Sequence, residues 1–304
     1  QGYKGGILIL GGRNSGKSLL SKTFAERYSP NSRIIQVFPP NSGSIELKDL
    51  DAAMRRVSGF FGNASDILAA LPQNSVIILH DLELWWQRSE GGDRVIRYIK
   101  QLINRFAGEC LFVVNTNPFA YKLMQPLLRL DELWLQPITC QPFDASELQD
   151  LIMRRQQSSG LSVALGNGQS SVAGLTDWRM AKVFNTLFNL SGGNPGMAMS
   201  IWLASVEKVK ADTLYFSLPK PLSASDWKSL DEEQWTWLLQ FVLHKRMTEE
   251  KLQAVMQVSE EQTQEVLKGL LRTGLIKERQ RGIYVLNEAV SYYITRALVN
   301  KEWL

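Results

Sequence analysis

Residues 7–28 read ILILGGRNSGKSLLSKTFAERY, and the reading of this stretch decides the fold. A short aliphatic run leads into a glycine-rich loop, and the loop leads into a helix-like segment with apolar Leu19, Leu20 and Phe24. The loop matches G-x-x-x-x-G-K-[ST] at Gly11, Gly16, Lys17 and Ser18. In a strand-turn-helix setting the backbone N–H groups of Gly11, Gly12, Arg13, Asn14, Ser15, Gly16, Lys17, Ser18 and Leu19 surround a phosphate, and the helix aims its N-terminus at the negative charge. Lys17 is expected to reach the β- and γ-phosphates, and Ser18 to ligate Mg²⁺.

A phosphate loop needs a metal-side carboxylate, and VIILHDLE at 76–83 supplies one. Continuous aliphatics followed by acids are the pattern of a central parallel strand covered on both faces. Asp81 is the candidate for the Mg²⁺ shell and Glu83 for the base that activates water. Another strand, RIIQVFP at 33–39, and an amphipathic stretch at 47–61 come before it, so the acidic strand is third in chain order. That order is the one of phosphate-loop ATPases with a glutamate base. No N-K-x-D guanine signature occurs, which favours ATP.

An amphipathic helix at 93–107 precedes LFVVNTNP at 111–118, an apolar strand ending in amides, and then AYKLMQPLLRLDELWLQPI and the helix-like SELQDLIMRRQQ. Here the chain resembles the AAA+ ATPases, and among them the archaeal initiator-like and STAND branches. The resemblance implies an α/β parallel sheet of the ASCE type, then a helical lid and a winged-helix domain. It makes Asn117 the γ-phosphate sensor, with Asn115, two residues earlier and on the same strand face, as the alternative. It makes Arg129, just before the fifth strand, a finger acting on a neighbour's nucleotide, which implies an oligomer. It also offers a second register for VIILHDLEL, with His80 at the metal aspartate and Asp81 at the base, so that both registers are open. Trp85-Trp86 just beyond reads as core or as a protein contact.

In the lid, 144–210 reads as helices interrupted by a polar loop at 157–177. Gly196 stands where many AAA+ proteins carry the second sensor arginine. Gly193-Asn194-Pro195 resembles the G-x-P turn of STAND ATPases, which makes Pro195 a contact to the adenine, and the departure from the second sensor arginine favours a slow switch over a fast motor.

The segment at 215–226, with two prolines, reads as a linker. Three helices follow, each opening on acids or a hydroxyl, then a wing turning at Arg281-Gly282 and a last helix from about 287. The order resembles a winged helix. Its third helix opens with Ser259, Glu260 and Glu261, which suits a protein contact or lid coupling better than DNA; only the wing, with Lys277, Arg279 and Arg281, is basic. The resulting division is 1–142 core, 143–214 lid and 215–304 winged helix.

Composition agrees with a globular protein of about two domains, or of one larger domain with an appendage: 304 residues, 44% hydrophobic, 11 Pro. The longest apolar runs, such as ILIL at 7–10 and VIIL at 76–79, are far short of the ~20 residues a membrane helix needs. Cys110 and Cys140 lack metal-ligand spacing and argue for a reducing, cytoplasmic setting. A net charge of +4 is a weak hint of polyanion contact. The start at Gln1, with the first strand only a few residues away, reads as a piece of a longer polypeptide. Three functions fit: an ATP-dependent switch, a DNA-binding initiator or transposition helper, and an ATP-binding scaffold with little turnover.

Overall fold

The computed structural model describes residues 6–28, 32–41, 45–165, 177–217, 230–280 and 282–304. Two compact units divide the chain. The first takes in what is described up to Cys140, then Asp231–Asn287 and Leu298–Leu304; the second takes in what is described of Gln141–Leu230, with Glu288–Ala297.

The first unit is built on a five-stranded parallel sheet of order β2-β3-β4-β1-β5, formed by β1 (Gly6–Leu10), β2 (Ile34–Val37), β3 (Ser75–Leu79), β4 (Cys110–Thr116) and β5 (Trp134–Thr139). Alternate residues serve two cores, as the pleat requires. Leu8, Ile77, Leu79, Phe112 and Val114 join one large core, while Ile9, Val76, Ile78 and Val113 pack with Ala25 of α1 (Lys17–Tyr28) on the other face. The continuous aliphatic runs are the sequence image of this double coverage. In chain order β2 comes between the phosphate loop and the acidic strand, but in the sheet it is β4 that separates β1 from β3, and β2 lies at the edge.

The acidic strand is shorter than the run 76–83 suggests. The strand ends at Leu79, with one last bond from the His80 N–H to the Val37 carbonyl at 3.0 Å; Asp81 turns into the left-handed region at φ 50°, and Leu82–Leu84 form a 3-10 turn. Trp85 and Trp86 beyond it are 0% and 4% exposed and belong to the core. Similarly β4 ends at Thr116, so Asn115 and Asn117 do not share a strand face; Asn117 caps α5 (Pro118–Leu128).

The second unit departs from an all-helical lid. Helices α6 (Ala145–Ser158), α7 (Asp177–Ser191) and α8 (Pro195–Ala204) are joined by a three-stranded sheet of order β6-β8-β7, from β6 (Ser162–Leu165), β7 (Val206–Lys210) and β8 (Thr213–Phe216). Residues 162–165, expected in a loop, form a strand, and Tyr215 and Phe216, expected in a linker, pair in β8. The cause is side-chain burial: Val163 and Phe216 join Leu148, Ile152, Phe184, Leu187 and Trp202 in one core, and the Trp202 and Phe216 rings lie 4.7 Å apart. The remainder of the polar interruption and of the linker lies outside the described residues.

Three helices follow in the first unit, α9 (Glu232–His244), α10 (Glu249–Met256) and α11 (Glu260–Arg272), then the antiparallel pair β9 (Ile276–Gln280) and β10 (Ile283–Leu286); α12 (Glu288–Asn300) closes the chain. Their first turns are capped as their sequences suggest, by Asp231, Thr248 and Ser259 accepting from Gln234, Lys251 and Gln262 amides. Trp237 to His244 of α9 are all buried, and α9 packs on α5 and on the 3-10 turn after β3. No helix among the described residues is long and apolar enough to cross a membrane.

Candidate nucleotide site

The sheet register brings the ends of β1, β3 and β4 together: Leu10 lies beside Thr116 and Leu79 beside Val114. The phosphate loop leaves β1 through Gly11, whose N–H donates to the Thr116 carbonyl at 3.1 Å. Asn14 and Gly16 hold φ of 62° and 88°, and the Gly16 carbonyl accepts from Leu20 at 2.9 Å as α1 begins. The left-handed turn at Gly16 is open to glycine at little steric cost. The first turn of α1 leaves N–H groups without helical partners, at the positive end of the helix dipole. Ser18 and Leu19 are exposed there.

Lys17 is 4% exposed, and its Nζ lies 3.5 Å from Asp81 Oδ1. The other oxygen of Asp81, Oδ2, accepts from Lys245 Nζ at 2.6 Å. Burial pushes the Asp81 carboxyl towards neutrality, but Lys245 and then Lys17 outweigh it and hold the carboxyl below its ordinary range. Asp81 Oδ1 is buried and makes no hydrogen bond among the described residues. This oxygen and the exposed Ser18 hydroxyl are hard donors of the kind Mg²⁺ takes, so the residues fit the ion and the phosphates that accompany it.

Asn115, fully buried, organises the ends of the strands. Its Oδ1 accepts from the Asp81 N–H at 3.0 Å; its Nδ2 donates to Ser21 Oγ at 3.0 Å and to His80 Nδ1 at 2.9 Å. That bond makes Nδ1 the acceptor, so Nε2 carries the proton that faces Gln36 Oε1 at 3.2 Å. The ring also stacks on Phe38 at 4.2 Å. Burial first, then Lys245 and Lys17 against the opposing pull of Asp81, lower its pKa to about 4. His80 is thus a neutral packed residue directed at β2, whereas Asp81 is the one that meets Lys17.

Glu83 is 1% exposed. Its Oε2 accepts from Thr116 Oγ1 at 2.9 Å and from the Asn117 N–H at 3.1 Å, and burial raises its pKa above the ordinary carboxyl value. The Asn117 side chain is engaged as well, its oxygen by the Phe119 N–H at 2.9 Å and its nitrogen by the Val242 carbonyl at 2.7 Å. Lys17, Asp81, Glu83, Asn115 and Asn117 therefore stand in one connected neighbourhood. Arg129 does not join it: it ends α5 at φ 50°, exposed, with its carbonyl accepting from Lys100. Pro195 opens α8 in the second unit, after a turn in which Gly193 holds φ 77° and accepts the Phe143 N–H at 2.8 Å.

Sequence reasoning missed the basic residues that follow α9. Besides Lys245, Arg246 donates to the carbonyls of Pro39 and Pro40 at 3.0 and 2.7 Å, and Lys251 donates to the Trp86 carbonyl at 3.3 Å. The available signal was a Lys-Arg pair directly after a helix too apolar to face water. On the wing, Lys277 and Arg279 are exposed, and Arg281 lies outside the described residues.

A parallel sheet of this order, with a phosphate loop after β1 and an acid after β3, is an α/β P-loop fold. The chain is similar to the ORC2 protein of Aeropyrum pernix solved in ADPNP-ADP complexes, with a TM-score of 0.51 and 12% identity over 100% of this chain and 90% of the other. It is also similar to the ORC1 protein of Aeropyrum pernix solved in complex with DNA, with a TM-score of 0.50 and 12% identity over 99% of this chain and 88% of the other. At that identity the likeness shows the fold alone, an α/β P-loop fold shared with those two proteins. No protein-family profile and no curated protein matches the chain.

Proposed function

We propose that the chain binds ATP with Mg²⁺ and works as a nucleotide-dependent switch of AAA+/STAND type within a larger protein, hydrolysing ATP slowly. The observation that carries this reading is the meeting of Lys17 with Asp81, 3.5 Å apart at the mouth of the phosphate loop. The loop amides and Lys17 would hold the phosphates, and Ser18 and Asp81 the Mg²⁺, which supplies charge neutralisation between the phosphates. Pro195 would meet the adenine. Asn117 or Asn115 would sense the γ-phosphate, and Arg129, exposed at a helix end, would serve a neighbouring copy. Slow turnover is supported by Glu83, whose carboxylate is buried and already engaged by Thr116 and Asn117. A base must reach the proton it takes, directly or through one water, so this carboxylate would have to be released first.

A DNA-binding role has one observation in its favour, the exposed Lys277 and Arg279 of β9. Against it, α11 begins with exposed Glu260 and Glu261. The test of the main reading is ATP turnover per molecule across a wide range of protein concentration, with Mg²⁺ present and Lys17→Ala as the blank. Rising specific activity would support subunits completing each other's sites. Turnover at the blank level with ATP bound would support the switch or a scaffold that binds ATP with little turnover. Absence of ATP binding would sink the proposal.

A further inference from the structure

Asp81 carries two cations on one carboxylate, and only one of them belongs to the phosphate loop. Lys245 is nearer than Lys17, at 2.6 Å against 3.5 Å, and it lies 164 positions further along the chain. It follows α9 directly, with its backbone at φ 60°, ψ −42°, where a non-glycine residue is seldom found. Its side chain retains 25% of its exposure, so water and ions can reach the pair from that side. The same segment is fastened around the acidic strand at three further points: the Val242 carbonyl to Asn117, Arg246 to the Pro39 and Pro40 carbonyls, and Lys251 to the Trp86 carbonyl.

A divalent ion on Asp81 Oδ1 and the Lys245 ammonium on Oδ2 would draw on one carboxylate charge and repel one another at that range, so each weakens the hold of the other. Metal-free nucleotide meets no such conflict, since its phosphates can settle on the loop amides and Lys17. Resting on the nucleotide reading above, we infer that Lys245 is an internal counter-cation of Asp81 that a Mg²⁺-nucleotide displaces, and that this exchange unlatches residues 242–251 from the acidic strand. Lys245 is a positioning residue here; it sets the state of Asp81 and of the segment it belongs to. The site thereby acquires a regulator inside its own chain: metal loading is read out as the freedom of the α9–α10 connection.

The test uses the whole chain and a fluorescent non-hydrolysable ATP analogue. Its affinity is measured in EDTA and across a Mg²⁺ titration, for the wild type, Lys245→Met and Lys245→Arg. Amide hydrogen exchange of residues 242–251 is followed in parallel on the wild type. Lys245→Met is expected to lower the Mg²⁺ concentration at half-saturation about tenfold, the equivalent of one charge-assisted contact, with the affinity in EDTA nearly unchanged. Lys245→Arg, which keeps the charge, should stay near the wild-type midpoint. Exchange of 242–251 should quicken with Mg²⁺-nucleotide and not with metal-free nucleotide. A loss of affinity in Lys245→Met that is equal with and without Mg²⁺ would make Lys245 a phosphate ligand and overturn the latch. An unmoved Mg²⁺ midpoint would also overturn it, leaving a structural ion pair. If Lys245→Met does not fold, the exchange result on the wild type decides. Failure of the wild type to bind the analogue under any condition would instead remove the nucleotide reading on which the latch depends.

Discussion

Asn115 shows how much one buried amide can organise. It satisfies the Asp81 N–H, Ser21 and His80 at once, and so ties β3, β4 and α1 together where the phosphate loop begins. Asn115→Ala would strand the Asp81 N–H and His80 Nδ1, while Ser21 Oγ keeps its bond to the Lys17 carbonyl, and a loss of about 2–4 kcal/mol in unfolding free energy is expected, measured by chemical denaturation. Asn115→Asp would put a negative charge against the carboxylate of Asp81 and should be no better. Lys251 gives a prediction in pH. Burial lowers its pKa from 10.5 to about 8, so in the unfolded chain the proton is held to higher pH than in the fold. Between those values the unfolded state binds more protons, and the Lys251 contribution to stability must rise with pH. Lys251→Met should therefore stabilise the protein at pH 7, by about 1–3 kcal/mol, and the advantage should shrink as pH climbs through 8 to 10.5, as denaturation at several pH values would show. At this scale the sequence was legible for Lys17 and Asp81 because motif and strand pattern name them. Lys245, Arg246 and Lys251 were not, because a cation's partner is fixed by tertiary contact and leaves no local periodicity.

Among the elements, those with strong local chemistry were readable and those made by pairing at a distance were not. The five sheet strands and the capped helices follow from aliphatic runs and from Asp231, Thr248 and Ser259 at helix starts. The small sheet of the second unit escaped, since β6 pairs with β8 across some fifty intervening residues and its own four residues carry no alternation worth the name. The strand ends were misplaced for a related reason. Asp81 and Asn117 stop β3 and β4 by making side-chain and backbone bonds of their own, which a hydrophobic pattern does not record. The turn before α8 yields a sharp test. Gly193 sits at φ 77°, and a Cβ there would run into the Phe143 backbone. Gly193→Ala should cost about 2 kcal/mol or more, whereas Ala at Gly12, where a Cβ meets nothing within 4 Å, should be far milder for folding; thermal melts of both variants would check this.

For the whole molecule, the exposed Arg129 makes a statement about assembly. If it serves a neighbour's nucleotide, a mixture of Lys17→Ala and Arg129→Ala chains should recover part of the ATPase activity that each lacks alone, since one supplies the phosphate lysine and the other the finger. A mixture no more active than its parts would confine Arg129 to its helix end. The acidic opening of α11 leads to a second expectation, that duplex DNA is not retained at moderate salt and that Lys277→Ala with Arg279→Ala changes little there. The grouping of Asp231–Asn287 with the P-loop sheet was beyond sequence order, which presents core, lid and C-terminal module as successive stretches. That grouping also bears on how the protein is made. A ribosome extending the chain at about 5–20 residues per second delivers Lys245 roughly 8–33 s after Asp81, for a separation of 164 residues. During that interval the nascent P-loop half stands with Asp81 lacking its Lys245 partner and with Trp86 lacking the His244 ring of α9 that lies 5.0 Å from it. Nucleotide present in the cell during translation would meet this open form before the latch exists, so the first molecule to occupy the site can be a guest acquired at birth.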